Sequence, residues 1–264
     1  MKLPSHISAK NKQFYEVSSK NSALKKITLS YFRLKEGETV SIRASKKEKL
    51  IHLLAGYVQV KSAKKEFNLG PRKDVFKALS ESCFIGINKA IILKAKQDSE
   101  ILVIKAPGKK TSIQYLSKKD VKVRKVGKGS YFRHVHDVLD QRHSAKTLLA
   151  GETFNQPGKW SSYPPHKHDT FNLPKENALE EVYFFRVDPK DSFGIIRVYG
   201  EKNGKAFDKT FTVKNNDTVV IPFGYHPVVA PPNTKVYYFW ALAGNVRKLR
   251  FQADPNFLPG KRLY

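Results

Sequence analysis

The stretch "KWSSYPPHKHD", Lys159 to Asp169, places two aromatics, two prolines and two histidines within eleven residues, and its reading decides the rest. In an extended strand residues i and i+2 face the same way, so His166 and His168 point together while Lys167 points away. Pro164 and Pro165 hold the backbone extended and lack the donors that a central ladder needs, which suits the mouth of a barrel. A single HxH is weak evidence by itself, because paired histidines are common on exposed strands.

Two later segments strengthen it. "ALEEVYFFR", Ala178 to Arg186, is an apolar strand carrying adjacent acids. Neighbouring strand residues face opposite ways, so at most one of Glu180 and Glu181 shares the interior with the histidines. "IPFGYHPVVAPP", Ile221 to Pro232, delivers His226 after a Pro-x-Gly turn. Three imidazoles and one carboxylate from three strands can hold a divalent transition ion and leave positions open for substrate. Tyr183, two residues beyond Glu181, is the aromatic best placed for a catalytic part. His134, His136 and His143, in "RHVHDVLDQRH", are read as structural residues of a short helical connection over Val135 to Ala145.

Around these motifs the chain is rich in short β-type segments, among them "KKITLSYFRL", "ETVSIRA", "LIHLLAGYVQV" and "EILVIKA", then "KTLLAGETF", "GIIRVYG", "DTVVIP" and "KVYYFWALAG". Their two series share a layout, each passing through a Gly-centred hairpin in "LAGYVQV" and "VYGEKNG". The expected fold is all-β, with two tandem barrels: residues 1–120 and residues 121–264. The charged, turn-rich segment Ala106 to Ser130 is the expected connection. The first half has only His6 and His52, far apart, so metal chemistry is expected in the second.

The chain has 264 residues, 40% of them hydrophobic, enough for a sizeable core. Cys83 is the only cysteine, so no intrachain disulfide forms. No apolar run resembles a signal peptide or approaches the roughly 20 residues of a membrane span, so a cytoplasmic location without membrane association is expected. The formal charge of +26 is concentrated in residues 1–130, which carry 30 Lys and Arg against 10 Asp and Glu. Lysines outnumber arginines 38 to 11 and are scattered rather than gathered into a motif, so no specific nucleic-acid partner is expected.

The order HxH, Glu, PxGxH resembles the metal signature of the cupins, jelly-roll β-barrels of the RmlC-like type. The segments "WSSYPPHKHD", "LEEVYFFR", "FGIIRVY", "GYHPVVAPP" and "YYF..ALAG" closely resemble the 5-deoxy-glucuronate isomerases of myo-inositol breakdown. Those enzymes form one bicupin family with the 4-deoxy-L-threo-5-hexosulose-uronate ketol-isomerases of pectin breakdown. The resemblance implies an intramolecular oxidoreductase that converts 5-deoxy-D-glucuronate to 2-deoxy-5-keto-D-gluconate. It also implies metal ligands at His166, His168, Glu181 and His226, with zinc the first candidate and manganese, iron or nickel the others. Glu180 and Tyr183 are then candidates for proton transfer, and Arg186, Arg197, Tyr163 and Tyr225 for binding the small sugar-acid substrate. Trp240 is a feature more like the pectin branch. A homo-oligomer, an oxygen-using cupin and a non-enzymatic bicupin that binds a sugar or polyanion are the further readings.

Overall fold

The computed structural model describes residues 3–8 and 12–258 and contains no α-helix among them. In the first half the long strand Lys47–Ser62 begins between Ser82–Ile85 and Ser99–Pro107, and Ser99–Pro107 leads on to Thr28–Leu34 and Phe14–Val17. Lys47–Ser62 then bends into a second sheet with Lys65–Arg72, Ile91–Ala95 and, beyond the latter, Thr39–Ile42. Ile51, Leu53, Val58, Val60, Leu93 and Val103 fill the space between the two sheets.

The second half repeats the plan. Leu179–Asp188 lies between Thr218–Ile221 and Lys235–Gly244, followed by Leu148–Asn155, Arg133–Leu139 and Lys122–Val126. A smaller sheet of Trp160–Ser161, Val228–Val229, Gly194–Lys202 and Lys205–Val213 faces it across a core of Phe185, Val187, Ile196, Val198 and Tyr238. The larger sheets of the two halves also pack against each other, with Leu50, Phe84, Leu102 and Ile104 meeting Val182, Phe184, Val220 and Phe239. Strands such as "LEEVYFFRV" are therefore buried on both faces, which explains their nearly unbroken apolar character.

The register relates the halves residue by residue. Glu48 lies opposite Ala106 and accepts hydrogen bonds from the backbone N–H groups of Lys146, Thr147 and Leu148 at 2.8–2.9 Å. Glu180 lies opposite Ala243 and accepts from those of Lys25, Lys26 and Ile27 at 2.6–2.7 Å. Each half thus ties down the chain entering the other. One residue further on, Lys49 faces Ile85 as Glu181 faces Ile221. The first barrel therefore carries a buried ammonium, held by the carbonyls of Lys47 and Lys89, where the second carries a carboxylate. A cation there opposes metal binding in the first barrel.

Several expectations change. Val135 to Ala145 is not a helical connection: Arg133–Leu139 is a strand paired on both sides, and a turn follows it. The segment Ala106 to Ser130 is not a plain linker, since it contains strands in both halves, Gln114–Leu116 and Lys122–Val126. Gly56 of "LAGYVQV" marks a bulge rather than a hairpin. Its φ is +93°, and a Cβ there would meet the Asp98 carbonyl oxygen at 2.3 Å. The "VYGEKNG" hairpin does form, turning at Asn203 and Gly204, both at positive φ. A division at residue 120 also leaves out one exchange. Ser5–Ile7 pairs with Thr218–Ile221, and His6 lies 2.9 Å from Asp217, so the first strand completes the sheet of the second half.

Candidate metal centre

Alternation along Leu179–Asp188 sends Tyr183, Phe185 and Val187 into the second barrel, and Glu181 shares their side of the strand. Two loops converge on Glu181. His168 is fixed by its backbone, whose carbonyl accepts from the Leu179 N–H at 2.8 Å, and His226 follows the turn at Gly224, where φ is +95°. Asp169 joins these loops, accepting from the Gly224 N–H at 2.8 Å, and Lys167 bridges Asp169 to Glu176.

All three imidazoles turn Nδ1 to a backbone carbonyl: His168 to Leu179 at 2.9 Å, His226 to Gly224 at 2.8 Å and His166 to Pro164 at 3.3 Å. Donation from Nδ1 leaves Nε2 as the free ligand nitrogen. The Nε2 atoms of His168 and His226 lie 3.1 and 3.2 Å from the same Glu181 oxygen, Oε2. These three atoms lie within 4.8 Å of one another, and His226 Nε2 is buried without a hydrogen-bond partner. At such distances a lone pair on Nε2 and a carboxylate oxygen need a positive charge between them, a proton or a metal ion, and two imidazole nitrogens with one carboxylate oxygen converging on one point is a donor set that fits a divalent metal.

The acid–base behaviour states the same demand. Burial opposes ionisation of Glu181, yet hydrogen bonding with His168 and His226 holds its pKa down at about 2. Burial likewise disfavours a charged His168, but the Glu181 hydrogen bond outweighs it and raises the pKa. His166 is pushed down to about 3, by burial first and then by its two histidine neighbours, and is a neutral imidazole. Its ring centroid is 4.9 Å from that of His226 and 6.3 Å from that of His168, so it stands beside the tight group of three.

A cavity of about 400 Å³ opens from the group, walled by Tyr163, Tyr183, Tyr238, Trp240, Arg133 and Phe251 among others. The C-terminal segment closes one side. Gln252–Ala253 pairs with His166–Lys167, Phe251 packs on the His166 ring at 4.6 Å, and Asp254 N–H donates to the Pro165 carbonyl. Nothing in "RFQADPNFLPGKRLY" suggested this, because the contact is between segments some 85 residues apart; Pro259 to Tyr264 lie outside the described residues.

Of the remaining candidates, Tyr183 and Tyr163 line the cavity. The Tyr183 hydroxyl meets Ser162 Oγ at 3.1 Å, and burial together with Glu181 raises its pKa well above the ordinary value. Four other candidates do not line this cavity. Glu180 is on the opposite face of the strand, holding three backbone N–H groups of the first half. Arg186 shares that face and pairs with Glu100 at 2.8 Å, so it serves the contact between the halves. Arg197 alternates with the interior residues Ile196 and Val198, lies over the Tyr199 ring and binds Asp208 with two nitrogens. Tyr225 packs its ring on Tyr199 at 5.3 Å and is not on the cavity wall. Arg133, Ser162 and Tyr238 are wall residues to which the sequence reading gave no part in the chemistry, although each lies within a quoted stretch.

The chain matches the KduI/IolB family over residues 2–259. It is 34% identical over 257 residues to a 5-deoxy-glucuronate isomerase of Geobacillus thermodenitrificans, covering 96% of this chain and 93% of that protein. A crystal structure of an IolB-like protein from Salmonella typhimurium LT2 superposes with a TM-score of 0.91 at 31% identity, covering 97% of this chain and 98% of its own. The Bacillus subtilis oxalate decarboxylase, which has Mn(II) centres, superposes with a TM-score of 0.60 at 12% identity over 91% of this chain and 74% of its own. That last likeness speaks for the fold: both halves are cupin barrels.

Proposed function

The chain belongs to the KduI/IolB family, and from that premise we propose that it is a 5-deoxy-glucuronate isomerase, which interconverts 5-deoxy-D-glucuronate and 2-deoxy-5-keto-D-gluconate. The observation that carries the reading is the convergence of His168 Nε2, His226 Nε2 and Glu181 Oε2 beside a cavity lined by His168 and Glu181. We assign His166, His168, Glu181 and His226 as ligands of a divalent ion, with zinc preferred for three imidazoles and one carboxylate. The buried free thiol of Cys83 and the absence of any other cysteine favour the cytoplasm as its place of work.

Aldose–ketose interconversion removes a proton beside a carbonyl, and negative charge develops on two adjacent oxygens. A divalent ion supplies the positive charge that this build-up requires. The chain's own residues do the rest. The backbone carbonyls of Pro164, Leu179 and Gly224 aim the imidazoles, and Asp169 fixes the loops that carry them. Tyr183 keeps its proton across the working pH range and is the hydroxyl placed to donate to a substrate oxygen, with Ser162 as its partner. Tyr163 and Trp240 shape the walls and exclude water.

The test is an NMR assay in heavy water with metal-loaded protein and 5-deoxy-D-glucuronate. Formation of 2-deoxy-5-keto-D-gluconate is expected. No product, with 4-deoxy-L-threo-5-hexosulose uronate turned over instead, would overturn the substrate assignment and make Trp240 the better guide to the branch.

A further inference from the structure

The cavity wall carries two guanidinium groups, and they differ in one respect. Arg124 is neutralised by Asp137, with Nε and Nη2 bound to the two carboxylate oxygens at 2.6 and 2.8 Å. Arg133 has no carboxylate partner among the described residues. Its Nη1 donates to the carbonyls of Tyr131 and Tyr163, both at 3.1 Å, which aims the group without cancelling its charge. The chain packs tightly beside it: Gly127 has φ +78°, and a Cβ there would meet the Tyr131 carbonyl oxygen at 2.3 Å and Arg133 Nη1 at 2.9 Å. Burial disfavours the charge and lowers the pKa, and among the described residues no acid offsets that cost. A half-buried, oriented, uncompensated guanidinium facing a cavity is built to meet an anion.

We propose that Arg133 is the specificity-determining residue that binds the substrate carboxylate, since neither Arg186 nor Arg197 is on the wall of this cavity. This rests on the isomerase reading above. The substrate has its reacting carbons at one end and its carboxylate at the other, and the cavity has metal ligands and an unmatched arginine on its walls. Nε and Nη2 remain to form the paired bonds that a carboxylate accepts.

The experiment compares wild type, Arg133→Lys and Arg133→Gln in metal-loaded form, with metal content and circular dichroism measured alongside kinetics. Arg133→Gln should raise KM for 5-deoxy-D-glucuronate about a hundredfold with kcat changed only a few-fold, and Arg133→Lys should recover part of the loss. An unchanged KM overturns the proposal, and so does an equal fall of kcat in both variants, which marks a structural role. If wild type does not turn over the uronate, calorimetric titration with D-glucuronate decides separately. Binding by wild type that Arg133→Gln loses sustains the anion anchor although the isomerase reading falls, whereas equal binding by both, or by neither, overturns the anchor.

Discussion

Glu180 and Glu181 are neighbours on one strand and belong to different halves of the molecule: Glu180 holds the chain that enters the first barrel, and Glu181 faces His168 and His226 inside the second. The period-2 geometry of a strand turns one sequence step into a change of function.

The two glutamates should therefore fail differently. Glu181→Gln should lose metal and activity while the protein remains folded. Glu180→Gln should keep stoichiometric metal and lose roughly 1–2 kcal/mol of stability, because three charge-assisted hydrogen bonds weaken. Metal analysis and denaturant unfolding of both variants check this, and metal retained by Glu181→Gln would refute the ligand assignment.

Removing metal by chelation should abolish turnover and lower the Tm, since an ion that binds only the folded protein stabilises it by mass action. His226→Ala should reproduce both effects without chelator. Differential scanning calorimetry with and without added zinc gives the comparison, and a Tm indifferent to zinc in wild type counts against the site.

Asp169 does not face the cluster, yet it ties the HxH loop to the turn that carries His226. Asp169→Ala should weaken metal binding about tenfold to a hundredfold, as expected when the support of a ligand is lost. Competition against a chromophoric chelator measures it; unchanged affinity would show that the loops hold themselves.

At the contact between the halves, Glu100 binds Arg186, Arg33 and Tyr31. Burial pushes its pKa up, but Arg186, Tyr31 and Arg33 together hold it below the ordinary 4.5. A depressed folded-state pKa gives stability that is present above the unfolded value and is lost as pH falls through the folded one. Stability should thus drop on acidification below about pH 4.5, and Glu100→Gln should be less stable at neutral pH with a shallower acid limb. Urea unfolding at several pH values tests it, and parallel curves would exclude Glu100 as a source of the acid sensitivity.

Much of the site was legible because its grammar is local. His166 and His168 two apart, an acid two before Tyr183, and His226 after a Gly turn are patterns within a few residues. Arg186, taken from the sequence as a substrate-binding candidate, lies an odd number of residues from Glu181, and strand alternation alone turns it away from the site. Arg197, set between Ile196 and Val198, gives itself away by the same alternation.

The sequence by itself determined the all-β class, the alternation along most of the strands and the three segments whose histidines and acids meet in the second barrel, because backbone geometry and short-range spacing suffice for these; the choice of Glu181 over Glu180 came from the family resemblance. Only the tertiary structure decided which face of a doubly buried strand meets which barrel, that Ser5–Ile7 crosses to the second half, that Gln252–Ala253 walls the site, and that among the described residues no acid neutralises Arg133. Those depend on contacts between residues far apart in the chain. No local period encodes such a contact; it is selected by the burial and charge pairing of the folded whole.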